Sequence, residues 1–82
     1  MAKVIVYTKT FCPYCVRAKS LLDNKGAEYE EILLETREEF ADLKNKTGMM
    51  TVPQIFIDDQ LIGGFTELAE LDAKGGLDPL LK

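Results

Sequence analysis

Two cysteines three positions apart, in Cys12-Pro13-Tyr14-Cys15, are the residues of this chain best suited to chemistry. No histidine stands anywhere in the sequence, so no imidazole is available to activate a serine or cysteine nucleophile. A thiol must then be activated by its surroundings. Pro13 suits the first turn of a helix and puts Cys12 at the helix start. There, free backbone N–H groups and the positive end of the helix dipole favour thiolate over thiol. Cys12 is expected to titrate well below the free value of roughly 8.5, with Lys9 and Arg17 adding to the effect. Cys15 lies one helical turn further in, where burial raises a thiol's pKa. The expected division is an exposed, attacking Cys12 and a shielded, resolving Cys15, with Cβ atoms close enough for a disulfide. Two other readings stand beside the redox one: half of a zinc site shared between subunits, and two cysteines with no joint role.

The elements around this pair follow from periodicity. Val4-Ile5-Val6-Tyr7-Thr8 is β-branched and aromatic, as expected of a buried central strand. From Thr10 to Gly26 the period becomes helical: Cys15, Ala18, Leu21 and Leu22 share one face, and Arg17, Lys19 and Asp23 turn outward. Gly26 suits the left-handed position after the last turn. Residues 28–34 alternate weakly and read as a second strand at a sheet edge. Thr36 to Thr47 reads as a helix with Phe40 and Leu43 inward, a Thr36/Glu39 capping box and Gly48 as stop. Gln54-Ile55-Phe56-Ile57, the turn Asp58-Asp59 and Gln60-Leu61-Ile62 form an expected hairpin ended by Gly63-Gly64. Thr66 is the expected cap of a third helix carrying Leu68, Leu71 and Ala73, and the tail from Leu77 to Lys82 reads as a short apolar turn packed on the body. The order βα, βα, ββα predicts an α/β fold. Its four-stranded mixed sheet has one parallel pair, extended by a hairpin and flanked by three helices.

Eighty-two residues, 46% apolar and 29% charged, are expected to form one globular domain over 1–82 with a thin core. Net charge is −4, but it is segregated. Between residues 28 and 42 seven acids face Arg37 alone, whereas residues 1–27 carry five bases against Asp23. The cysteine segment thus favours an anion. An acidic chain without a basic stripe of interleaved aromatics does not suggest nucleic acid as a partner. Four Cys/His ligands for a self-contained zinc site are lacking, and no metal is expected. The apolar run at the start is too short for a secretion signal, and no stretch approaches the roughly 20 residues that span a bilayer. The expected compartment is the cytoplasm, without a membrane partner.

Together, Cys12-Pro13-Tyr14-Cys15 after Tyr7-Thr8-Lys9, Thr51-Val52-Pro53-Gln54 before a strand, and Gly63-Gly64 before a helix resemble a dithiol glutaredoxin. The resemblance runs essentially end to end, through Gly75-Gly76-Leu77-Asp78-Pro79-Leu80-Leu81, and is closest to the small bacterial members. It implies a thioredoxin-like fold and a glutathione-dependent thiol–disulfide oxidoreductase, with Cys12 as nucleophile and Cys15 as resolving thiol. No cofactor is implied beyond glutathione itself as reducing co-substrate. By the same resemblance, Tyr14 would flank the substrate sulfur and Lys9 would meet the glycine carboxylate of glutathione. Thr51 and Val52 would lend backbone groups to the tripeptide, and Pro53 would follow a cis bond. Gly64, Phe65 and Thr66 would receive the γ-glutamyl carboxylate at a helix start.

Three positions depart from the family pattern. Thr66 offers a hydroxyl where relatives often have Asp or Ser, Phe65 beside it is bulky, and Phe40 stands where some relatives place a polar residue, with Arg37 as a substitute. Implied partners are disulfide-bearing or glutathionylated proteins, ribonucleotide reductase among the family's clients, acting on a monomer. The alternatives are a redoxin served by thioredoxin reductase and a dimeric iron–sulfur scaffold, which Pro13 disfavours by crowding a bridging cluster.

Overall fold

The computed structural model describes residues 2–81; Met1 and Lys82, the last residue of the expected tail, lie outside it. Element order is β1 (Val4–Thr8), α1 (Pro13–Asn24), β2 (Glu30–Leu33), α2 (Arg37–Thr47), β3 (Gln54–Ile57), β4 (Gln60–Gly63), α3 (Phe65–Ala73) and α4 (Leu77–Leu81). The sheet order is β2-β1-β3-β4, with β1 parallel to β2 and antiparallel to β3, and β3 antiparallel to β4. This is the mixed sheet expected from the sequence, with β1 central and β2 at an edge.

Strand alternation sends side chains to opposite faces. Val4, Val6, Ile55 and Ile57 pack with Ala18 and Leu22 of α1, Leu68 of α3 and Leu77 of α4. On the other face Phe56 packs with Leu34 and Leu43, and Ile5, Tyr7, Phe40 and Leu61 join them. One sheet face therefore supports α1, the helix that begins at the cysteines, and α3. The other carries α2.

Local chemistry explains the element ends. Thr36 Oγ1 accepts the Glu39 N–H at 3.2 Å, and Glu39 Oε1 accepts the Thr36 N–H at 3.0 Å, the full capping box. Asp58 and Asp59 adopt φ of 50° and 66°, left-handed at both central turn positions, as two-residue hairpin turns of type I′ require. At the far end of α1, Lys25 pairs with Asp72 of α3 at 2.6 Å and with Asp78 of α4 at 3.2 Å, tying three helices together.

Two expectations are corrected. The tail is a short fourth helix rather than a turn, with Leu77 fully buried against the core. Thr66 does not cap α3: the helix starts at Phe65, two residues earlier than a Thr66 cap would place it, with Gly64 at the cap position. The reason is Glu67, whose Oε1 accepts the Gly64 N–H at 2.7 Å and so fixes the start of the helix three residues before itself.

Candidate active site

The strand β1 delivers the chain to the reactive pair through a tight turn. Phe11, the residue before Cys12, holds a left-handed φ of 56° and is 96% exposed. Cys12 is the N-cap of α1 in extended conformation, and Pro13 is the first helical residue, as its fixed φ and missing N–H favour. The backbone N–H of Cys15 points at Cys12 Sγ, 3.1 Å away. The two sulfurs are joined as a disulfide across a Cα–Cα distance of 5.2 Å. Cys12 is less open than expected. It is 8% exposed against 2% for Cys15, because Val52 of a neighbouring loop comes over it, the Val52 carbonyl lying 3.8 Å from Cys12 Sγ. The ranking of the two thiols agrees with the sequence reading, but the contrast is small.

Beside the pair lies an open groove of about 320 Å³. Thr51, Val52 and Pro53 line it from the loop before β3, and Gly64, Phe65, Thr66 and Glu67 line it from the start of α3. Tyr14 contributes from the first turn of α1. The Val52–Pro53 peptide bond is cis. The Tyr14 and Phe65 rings stack at 6.2 Å between centroids with 30° between planes, and the Arg17 guanidinium sits 5.2 Å over the Tyr14 ring. Two elements far apart in sequence thus meet in an aromatic contact beside the disulfide. Of the residues singled out from the sequence, Tyr14, Thr51, Val52, Pro53, Gly64, Phe65 and Thr66 come together in this groove. Lys9 is exposed at the end of β1 and is not among the lining residues. Phe40 packs into the core on the α2 face, and Arg37 is exposed at the start of α2.

Glu67 is the lining residue the sequence reading missed. The signal was present as an acid three residues after Gly64, the spacing of a capping carboxylate, but a glycine does not announce itself as a cap. Its side chain occupies the space above Gly63: a Cβ built on Gly63 would lie 2.8 Å from Glu67 Oε1.

Behind the cysteines, polar groups link α1 to the sheet. Thr8 Oγ1 donates to Glu31 Oε2 at 2.8 Å, and Lys19 Nζ reaches the same oxygen at 3.0 Å. The Thr8 hydroxyl first, and Lys19 second, hold the Glu31 carboxyl below its ordinary value.

A disulfide at a helix start, on an α/β scaffold whose sheet aims one strand at it, defines the class: a thiol–disulfide oxidoreductase of thioredoxin-like architecture. Comparison with known proteins narrows the class. The family model for glutaredoxin matches residues 4–62. The chain is 54% identical over 86 aligned positions to Glutaredoxin 3 of Escherichia coli strain K12, with both chains covered in full. The solution structure of glutaredoxin from Brucella melitensis superimposes with a TM-score of 0.89 at 48% identity, covering 100% of this chain and 90% of that one. The crystal structure of a buckwheat glutaredoxin–glutathione complex gives 0.90 at 38% identity, covering 98% and 76%. The chain belongs to the glutaredoxin family.

Proposed function

We propose that this protein is a glutathione-dependent reductase of protein disulfides and of glutathionylated mixed disulfides, working through Cys12 and Cys15. The observation that carries the reading is the placement of Cys12. Its sulfur caps α1, receives the Cys15 N–H, and lies beside a groove wide enough for a tripeptide. The buckwheat relative, whose structure is a complex with glutathione, supports the choice of ligand.

In the reduced protein the helix start and the Cys15 N–H favour the Cys12 thiolate. That thiolate attacks one sulfur of a client disulfide, forming a mixed disulfide and releasing the other client sulfur as thiolate, which takes up a proton. Cys15, as thiolate, then attacks Cys12 Sγ, completing the Cys12–Cys15 disulfide and freeing the reduced client. Two glutathione molecules restore the dithiol, the first opening the disulfide and the second leaving with the first as glutathione disulfide. A glutathionylated client needs Cys12 only: the thiolate takes the glutathione, and a second glutathione removes it.

For glutathione itself the groove offers backbone groups of Thr51 and Val52 to an extended tripeptide, with Pro53 fixing the turn of that wall. The start of α3 offers the N–H groups of Phe65 and Thr66 to the γ-glutamyl carboxylate, while the Gly64 N–H is taken by Glu67. Tyr14 flanks the sulfur, and Lys9, outside the groove proper, reaches in from the end of β1 toward the glycine carboxylate. The protein acts as a monomeric single domain in the cytoplasm, where glutathione is abundant and clients arrive with exposed disulfides or glutathionylated thiols. Among the described residues no helix is long and apolar enough to cross a membrane.

Cysteine variants in a glutathione-coupled assay test the mechanism. Cys12→Ser removes both activities, whereas Cys15→Ser retains deglutathionylation and loses reduction of protein disulfides. A Cys12→Ser protein with wild-type turnover would sink the mechanism. Faster turnover with thioredoxin reductase than with glutathione would instead reassign the electron donor.

A further inference from the structure

One buried polar side chain near the site has no role in the steps above. Gln54 is the first residue of β3, follows cis Pro53 directly and is 1% exposed. It pairs in register with Tyr7 of β1, so its backbone is fixed by the centre of the sheet. Its amide turns back on the preceding loop: Nε2 donates to the Met49 carbonyl at 3.0 Å and to the Thr51 carbonyl at 2.9 Å. Among the described residues, 49–53 otherwise take part in no backbone–backbone hydrogen bond of a turn, loop or cap. Two other side-chain contacts reach this stretch among the described residues: the Met49 N–H donates to Thr47 Oγ1 at its beginning, and Cys12 Sγ lies 3.8 Å from the Val52 carbonyl. Two carbonyls facing one Nε2 also settle the amide's orientation, since the opposite one would set Oε1 against both.

The arrangement costs something. Gln54 Oε1 is enclosed and finds no donor among the described residues. A glutamine kept in the interior with its acceptor unpartnered is a poor choice for stability alone and needs another reason. The loop it holds supplies that reason, because Thr51, Val52 and Pro53 form one wall of the groove and the Val52 carbonyl lies 3.8 Å from Cys12 Sγ.

We propose that Gln54 is a positioning residue: its amide sets the register of the Thr51–Pro53 wall against Cys12, and so the binding of the substrate that lies along that wall. The inference rests on the glutathione reading given above. A rigid wall presents its backbone groups ready-made, whereas a loose one must be ordered at each binding event, a cost that enters KM rather than the chemical step.

The test replaces the amide by an unbranched apolar side chain of similar length, Gln54→Met. Removing Oε1 relieves the unpartnered acceptor, while Thr51 is exposed and Met49 half-buried, so water can reach their carbonyls. The melting temperature therefore stays near that of the wild type. KM for a glutathionylated peptide rises about fivefold or more, with kcat within about twofold. A second variant, Gln54→Glu, puts a carboxylate against the same two carbonyls, and its KM falls toward the wild-type value as acid protonates the introduced carboxyl. An unchanged KM in folded Gln54→Met overturns the proposal. So does a variant that fails to fold, or one whose kcat and stability fall together, because Gln54 would then serve the fold. Failure of the glutathione reading shows separately, as a wild-type enzyme that does not saturate with the glutathionylated peptide.

Discussion

Gly63 ends β4 at φ 124°, a backbone region that residues with a Cβ rarely enter, and the Glu67 side chain fills the space where that Cβ would stand. The residue thus answers to two constraints at once, conformation and contact. Gly63→Ala is expected to cost about 1–3 kcal/mol, read by denaturant unfolding, and to loosen the Glu67 contact to the Gly64 N–H. A Gly63→Ala protein as stable as wild type would show that Glu67 moves aside freely. Single residues were also where the sequence was most and least readable. Cys12, Pro13 and Cys15 were legible because a helix start makes distinct demands on each position. Glu67 and Gln54 were not, since one resembles any exposed acid on a helix and the other any polar residue opening a strand. Their roles come from neighbours distant in space, Gly63 above one and an irregular loop beside the other.

At the scale of elements, α2 shows how far local rules reach. Its start is written in Thr36 and Glu39, three apart, and its end in Gly48 with the Gly48 N–H bonding to the Lys44 carbonyl. Thr36→Ala should cost about 1 kcal/mol, seen as a lower melting temperature with the sheet intact, because one of the two capping bonds is lost. A change of less than a few tenths would mean that the helix is held by its packed face alone. The same rule misplaced α3 by two residues. Thr66 has the hydroxyl that caps prefer, yet the helix start is set by a carboxylate reaching back to a glycine N–H. The hairpin was legible because two aspartates tolerate left-handed backbone better than most residues, and α4 was not, because five residues containing Pro79 give no usable period.

For the whole molecule, the sheet divides the work between two faces, and polar links tie the helices to it. Glu31 is the link most open to measurement. Its carboxyl is held below the usual glutamate value near 4.5, first by the Thr8 hydroxyl and then by Lys19, so the folded state binds its proton less readily than the unfolded chain. Such a group stabilises the fold fully above the unfolded value, and that contribution disappears as pH falls through the lower, folded one. Glu39 is held down as well, by the N–H groups of Glu35 and Thr36, and adds in the same direction. Glu31→Gln should therefore lower the melting temperature at neutral pH and flatten its fall in acid. Parallel acid curves for variant and wild type would remove Glu31 from the account. The overall topology was legible from element order, since a strand–helix–strand unit followed by a hairpin leaves few sheets to choose from. What the order could not supply was how closely the loop before β3 approaches the start of α1, a distance set by packing across the sheet.

The sheet order leaves β2 and β4 with unpaired outer edges, each only four residues long. Along β2 stand Glu30 and Glu31, both exposed, with Glu28 just before them. Two copies meeting edge to edge along β2 would bring these carboxylates into register, and a bare strand edge is otherwise an open template for pairing. The acidic flank therefore disfavours edge-to-edge pairing along β2. A second strand approaching that edge meets like charge, whereas the exposed apolar side chains Phe11, Tyr14 and Val16 stand elsewhere, around the start of α1.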